Sequence, residues 1–368
     1  MSHAGAQLVS GAAAVAAPRI MRAGVYRGAG RVAVEHVPIP EIGDGEVLLK
    51  IACCGICGTD IKKIQHGFVR APQIFGHEMA GTVVEVGRGV KRWKPGDRAV
   101  SFHHIPCGGC FYCQRKLFSQ CPTYKKTGVT AGFDPNGGGF AEYVRVMPWV
   151  AERGMLALPP GVSFDEGTFV EPVNTCLKAV QKARVAAGEL LAVIGQGPIG
   201  LLLMMLAKLA GATVYTSDPM PERRARSVEL GAAAALDPST GNLQEEILAR
   251  TAGRGADAVL VAVPNPSLVP GALALARPGG RVLLFAHNDP QMQLTFPAAA
   301  VGVEEKEILG SYSAAVDLQE ESARLVFERR LPVRELITHR FPLDQFESAL
   351  ALAARPSGDS LKVVITPE

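Results

Sequence analysis

The chain has no run of eighteen residues that is both apolar and free of charge, so no helical membrane span is predicted. Net charge is also scarce. Lys and Arg number 38 against 35 Asp and Glu, a formal +3. Aromatics make up only 6% and interleave no dense basic stripe, which excludes nucleic acid as a partner. The Ala-rich residues 4–17 lack the charged n-region of a secretory signal. Residues 1–18 therefore read as a disordered extension, with Met21 a second candidate start. Without a signal, the eight cysteines fit a reducing, cytoplasmic setting, where thiols serve metals more often than disulfides. What the chain does have is length and apolar content. Its 368 residues, 48% hydrophobic, suffice for two domains with a substantial core.

Two textures divide the chain. Residues 19–150 are rich in Gly, Pro and short β-like runs: Val47 to Ile51, Gly81 to Val86, Arg98 to Phe102. Turn signals such as Gly43-Asp-Gly45 and Lys94-Pro-Gly-Asp97 separate them, a pattern that predicts a compact β-barrel. From about residue 173, strands and helices alternate. Strands are expected at 190–194, 213–217, 256–262 and 281–286, with an apolar helix over 201–210. That alternation predicts a doubly wound parallel sheet. An amphipathic helix is expected over 318–330 and a closing strand over 361–365.

Four cysteines, Cys107, Cys110, Cys113 and Cys121, fall within fifteen residues. Their spacing lets four thiolates converge on one tetrahedral ion, as a closed structural zinc site requires. Two disulfides, or chance clustering, are the alternatives. Gly195-Gln-Gly197-Pro-Ile-Gly200 directly follows an expected strand and opens a helix, the context that makes this pattern a dinucleotide site. Gly195 permits the tight turn, Gly197 lets backbone approach a pyrophosphate, and Gly200 allows close helix–sheet packing. Pro198 and Ile199 open the helix whose N-terminus favours phosphate. Asp218, at the end of the next strand, can accept hydrogen bonds from the ribose hydroxyls of NAD and would repel the 2′-phosphate of NADP. Arg223 lies close by as a further candidate cofactor contact, and with Arg224 it weighs against that preference for NAD.

Upstream stand Gly55-Ile-Cys57-Gly-Thr-Asp60 and Gly76-His77-Glu78. A thiolate, an imidazole and a carboxylate make a mixed shell suited to zinc with an open position, and Glu171 is a further candidate ligand. Such a zinc is a Lewis acid that lowers the pKa of an alcohol oxygen and eases hydride loss from its carbon. Taken singly, His77 could be a core histidine and Cys57 a small buried apolar group, as Cys53 and Cys54 are expected to be.

Together these motifs, with Gly139-Phe-Ala-Glu-Tyr143, resemble the zinc-dependent medium-chain dehydrogenases, the alcohol and polyol dehydrogenase superfamily, from about residue 20 to the C-terminus. Glu171-Pro172 resembles the sorbitol (iditol) and threonine dehydrogenase branch. The resemblance implies an α/β architecture. A GroES-like β-barrel catalytic domain would comprise 19–172 and 308–368, with the structural zinc lobe at 103–125. A Rossmann NAD-binding domain would occupy 173–307. It implies two zinc ions. The catalytic one would be held by Cys57, His77 and Glu78, with Glu171 directly or through water, so which glutamate is the direct ligand stays open. It implies that Thr59 passes the substrate's hydroxyl proton towards the cofactor ribose, and that Asp60 orients rather than ligates.

Two positions depart from the family pattern. Lys62 stands where many relatives end the proton relay with a histidine. Its ammonium would serve with a depressed pKa; His66, bulk water, or a Lys62 that merely faces solvent are the alternatives. Ser313 stands near the place where sorbitol dehydrogenases carry an arginine, so the resemblance does not extend to sorbitol recognition. The expected activity is oxidation of a secondary alcohol by NAD to a ketone, the substrate being a polyol, sugar or aminocyclitol-like compound. Amino alcohol oxidation, as in L-threonine 3-dehydrogenases, is the alternative. A non-catalytic protein of the same fold that binds NAD and zinc is the alternative of another kind. Relatives suggest a homodimer or homotetramer.

Overall fold

The glycine- and proline-punctuated first part of the chain folds into short antiparallel strands. A computed structural model describes residues 19–67, 69–124, 126–133, 137–240, 242–285 and 293–367. The expected extension 1–18 lies outside them. The hub is the strand Val47–Gly55, which pairs antiparallel with Glu78–Val86, Tyr143–Val146 and Lys362–Thr366. The sheet continues through Arg98–Ser101 to Met155–Ala157 on one side and to Ile337–Pro342 on the other. A second, three-stranded sheet joins Arg31–Pro38, Ile20–Gly28 and Gln73–Ile74.

Register places the chemistry. Gly55 pairs with Glu78, and Val364 pairs with Gly55. Because these pairings are antiparallel, the residues after Gly55, those before Glu78 and those before Val364 leave the sheet at the same end. Cys57, His77 and Lys362 therefore converge, although hundreds of residues separate the last from the first two.

The second sheet has six strands in the order Ala234–Leu236, Thr213–Ser217, Leu190–Ile194, Ala256–Val261, Ala276–Leu284, Glu307–Gly310. Every neighbouring pair is parallel. The order reverses beside Leu190–Ile194, which leaves a crevice at the strands' carboxyl ends, the place where dinucleotides bind in such sheets. The strands expected at 190–194 and 213–217 stand at those residues. The glycine-loop helix starts at Pro198 rather than 201 and runs Pro198–Leu209. Proline's fixed φ suits a first turn, and its missing N–H costs nothing there.

The helix Val170–Lys182 crosses from the barrel to this sheet and packs against Pro198–Leu209 and Gln319–Phe327. It is buried on most sides, so its pattern is apolar with a few placed polar groups. No described helix is long and apolar enough to cross a membrane.

Candidate active site

Cys57 caps the helix Gly58–His66, and its neighbours hold it in place. Asp60, buried in that helix's first turn, accepts the Cys57 N–H at 3.2 Å through Oδ2. Its Oδ1 lies 3.2 Å from His77 Nδ1. One carboxylate thus fixes both the thiol's loop and the imidazole's ring, the usual way a metal-binding histidine is oriented. Burial pushes Asp60 up, but the adjacent His77 outweighs it and the carboxyl sits below its ordinary value.

Donor atoms of Cys57, His77 and Glu78 all lie within 4.8 Å of one another. Thiolate, imidazole and carboxylate at that spacing fit one zinc ion and leave room for a fourth ligand. Glu171 stands in the first turn of Val170–Lys182, outside that group of three, and burial pushes its carboxyl up to about 7. Glu78 Oε2 is ion-paired with Lys362 Nζ, which also donates to Ile56 O at 3.0 Å. The pair leaves no room for a side chain at Gly55, where a Cβ would lie 2.1 Å from Glu78 Oε2.

Lys362 was not foreseen. Its only signal is a lone lysine opening an apolar closing strand. His103 and His104 were missed as well. The rings of His77 and His103 lie 4.8 Å apart, those of His103 and His104 4.0 Å, and those of His104 and Tyr124 5.2 Å. Burial, with His104 and His77 adjacent, holds His103 well below the usual histidine range, so its ring stays neutral. The ladder runs from the metal-site imidazole to the cysteine lobe.

Thr59 is half-buried two residues after Cys57. Lys62 is half-buried one turn further along the same helix; burial lowers its pKa, opposed by Cys57. His66 ends the helix and is exposed. In the lobe, sulfurs of Cys107, Cys110, Cys113 and Cys121 lie within 4.8 Å of one another. Cys110 and Cys113 are 3.5 Å apart and Cys107 and Cys113 3.9 Å. Four thiolates at the zinc–sulfur bond length would sit about 3.8 Å apart, so the lobe fits a closed tetrahedral zinc, and every cysteine is free of disulfides.

At the crevice, Gly195 takes the left-handed φ of 90°, and a Cβ on Gly200 would lie 1.7 Å from Gly195 O. Asp218 is buried, with Oδ2 accepting from Gln196 N at 2.7 Å and Oδ1 from Met220 N at 2.9 Å. A carboxylate has about four acceptor sites, so Asp218 shapes the glycine loop and keeps capacity for ribose hydroxyls. Arg223 reaches Ser360 O at 3.4 Å and lies against Gly197. Cys176, on the helix that carries Glu171, points its thiol at Ile199 O, 3.9 Å away. At 1.5 Å of rise per residue, one helix segment of about 7.5 Å therefore links the metal site to the glycine loop.

Comparison with known proteins bears on the family and the fold. Residues 43–159 match the family described as alcohol dehydrogenase GroES-like domain, and residues 198–328 match zinc-binding dehydrogenase. A sorbitol dehydrogenase of Bombyx mori is 32% identical over 352 residues, covering 93% of this chain and 97% of that protein. An L-threonine 3-dehydrogenase of Symbiobacterium thermophilum is 32% identical over 344 residues, covering 91% and 94%. A crystal structure of a zinc-binding dehydrogenase from Sinorhizobium meliloti, bound to NADP, superposes with a TM-score of 0.85 at 31% identity, covering 95% of this chain and 100% of that one. The 2R,3R-butanediol dehydrogenase of Bacillus subtilis gives 0.83 at 29% identity, covering 95% and 100%.

Proposed function

The chain belongs to the zinc-dependent medium-chain dehydrogenases, in the branch of the sorbitol and threonine dehydrogenases, and on that premise we propose how its residues divide the work. It is a zinc-dependent oxidoreductase that oxidises an alcohol with NAD. The reading of its site rests on one observation above the rest: the helix Val170–Lys182 carries Glu171 within electrostatic reach of His77 and Glu78, and Cys176 against the glycine loop.

Cys57, His77 and Glu78 hold the catalytic zinc, with Glu171 next to them, and the four lobe cysteines hold the structural one. When bound, the catalytic zinc supplies Lewis acidity that lowers the pKa of the substrate hydroxyl, and NAD supplies the hydride acceptor. Thr59 takes the hydroxyl proton, since its own hydroxyl donates and accepts at once. Lys62, three residues on and so on the same helix face, or His66 beyond it, passes that proton towards solvent. Asp60 keeps His77 and the Cys57 loop in position. Gly195, Gly197, Pro198, Ile199 and Gly200 carry the pyrophosphate, and Asp218 with Arg223 the adenosine ribose. The barrel comprises 19–172 and about 311–368 and the coenzyme domain 173–310, the boundary expected at 307/308 moving because Glu307–Gly310 is a strand of the parallel sheet.

The substrate is a secondary alcohol with a hydroxyl or amine on the adjacent carbon. Sorbitol, butanediol and threonine, named for the relatives, share that unit. The ladder of His103, His104 and Tyr124 gives the site a polar wall suited to it. Ser313 bears no charge for a longer polyol to engage. Glu307–Gly310, the last strand of its sheet among the described residues, and the exposed Val301 and Val303 shortly before it in sequence favour a homodimer or homotetramer. The free cysteines favour the cytoplasm.

Screening NAD reduction against diols, polyols, sugars, aminocyclitols and threonine tests the substrate. Turnover confined to threonine would select the amino alcohol reading. Cys57→Ala should abolish turnover and leave one zinc per chain, in the lobe. Retained activity would overturn the assignment.

A further inference from the structure

The chain crosses between barrel and coenzyme sheet twice, first as the helix Val170–Lys182 and again as residues 310–315. One stripe of the helix grips the returning segment in antiparallel order. Lys182 Nζ donates to Gly310 O. Lys178 Nζ donates to Tyr312 O at 2.8 Å and to Ser313 O at 3.3 Å. Asn174, fully buried, accepts the Ala315 N–H at 2.8 Å and donates to Ala315 O at 3.0 Å. Positions 174, 178 and 182 are each four apart and share one helix face.

The lobe grips the same segment from the other side. The Tyr124 hydroxyl lies 3.0 Å from Ser313 Oγ and 3.4 Å from Ala314 O. Ser119 Oγ accepts from Lys178 Nζ at 3.3 Å. Ala315 packs with Cys113, Phe118, Cys121 and Tyr124. Held between the two, Ser313 adopts a left-handed φ of 60°, which a non-glycine residue keeps only where its surroundings over-determine it.

The segment's location gives the clamp a function. A dinucleotide crosses the crevice so that each mononucleotide half lies over one half of the sheet. Gly195 and Asp218 take the adenosine half, on Leu190–Ile194 and Thr213–Ser217. The nicotinamide half would then fall on the side of Ala256–Val261, Ala276–Leu284 and Glu307–Gly310, and the last of these runs directly into residues 311–315. Tyr124 and the imidazole ladder of His104 and His103 connect the same segment to His77 of the metal group.

We propose that Lys178 is a positioning residue for the nicotinamide half of the coenzyme: with Asn174 and Tyr124 it fixes residues 312–315, so that the coenzyme's redox end meets the metal site in register. The proposal rests on the NAD reading above. It gives the structural lobe a second role, as the outer jaw of the clamp.

The test is calorimetric binding of NADH and of ADP-ribose, which lacks the nicotinamide, to the zinc-loaded enzyme and its variants. Lys178→Met should weaken NADH at least about tenfold while ADP-ribose changes less than about twofold, with zinc content unchanged. Lys178→Arg, which keeps the cation, should restore most of the NADH affinity. Tyr124→Phe, acting on the same segment from the lobe, should give the selective pattern of Lys178→Met in weaker form, and it stands in if that variant does not fold. Unchanged NADH affinity, or a parallel loss of both ligands, overturns the proposal. A wild-type enzyme that binds no NADH would overturn the coenzyme reading itself, and the proposal with it.

Discussion

Replacing Lys362 by Met probes the least visible part of the site. The ammonium and the Glu78 carboxylate are 5% and 1% exposed. Removing one member of a buried ion pair leaves the other charge uncompensated and costs about 3–5 kcal/mol. At roughly 2 °C per kcal/mol for a chain of this size, the zinc-stripped protein should lose about 6–10 °C in Tm. Zinc beside Glu78 would offset part of that loss, because a dication stands in for the ammonium. The double variant Lys362→Met with Glu78→Gln removes both charges and should recover about half the loss or more. Scanning calorimetry measures this, each variant compared with wild type in the same metal state. Equal losses in single and double variants, or losses indifferent to zinc, would refute the reasoning that the pair is held together by mutual charge compensation.

Asp218→Ala should weaken NAD about tenfold or more, as loss of charged hydrogen bonds to the ribose requires, while relief of repulsion improves NADP. A loosened glycine loop alone would weaken both coenzymes, so the ratio of the two KM values is the readout, and an unchanged ratio counts against the ribose role. Cys113→Ser should reduce zinc from two to one per chain and lower Tm, because metal binding at a closed site is folding energy; metal analysis showing two would remove the lobe assignment. Burial raises the Asp165 carboxyl, but hydrogen bonds from Ser163 and Arg340 outweigh it, so its pKa lies below the ordinary 3.8. A depressed carboxylate contributes stability that is complete above the ordinary value and is lost as pH falls from there through the folded one. Asp165→Asn should therefore flatten the acid limb of Tm against pH, whereas an unaltered limb would assign the acid sensitivity to other groups.

What was legible in the sequence was what is local in the chain. The four lobe cysteines lie close enough that any turn-rich path brings them together, and Gly195 to Gly200 need only a strand before and a helix after. Cys57 and His77 are twenty residues apart, and their meeting depends on Gly55 pairing with Glu78, a register that no spacing rule supplies; the family resemblance supplied it instead. Lys362 belongs to the same site through a third strand. In alternation it reads as an ordinary opening residue of that strand, and only the pairing of Val364 with Gly55 turns it towards Glu78. Asn174 and Lys178 are harder still, because nothing near them in sequence asks for a polar group on a buried helix. Their partners are the backbone groups of Tyr312, Ser313 and Ala315. A polar side chain that recognises a carbonyl can do so whatever residue carries that carbonyl, so the partner's sequence holds no mark of the contact. The site's ligands were therefore readable by chemical type, while the groups that position them become visible only once the two crossings of the chain are laid side by side.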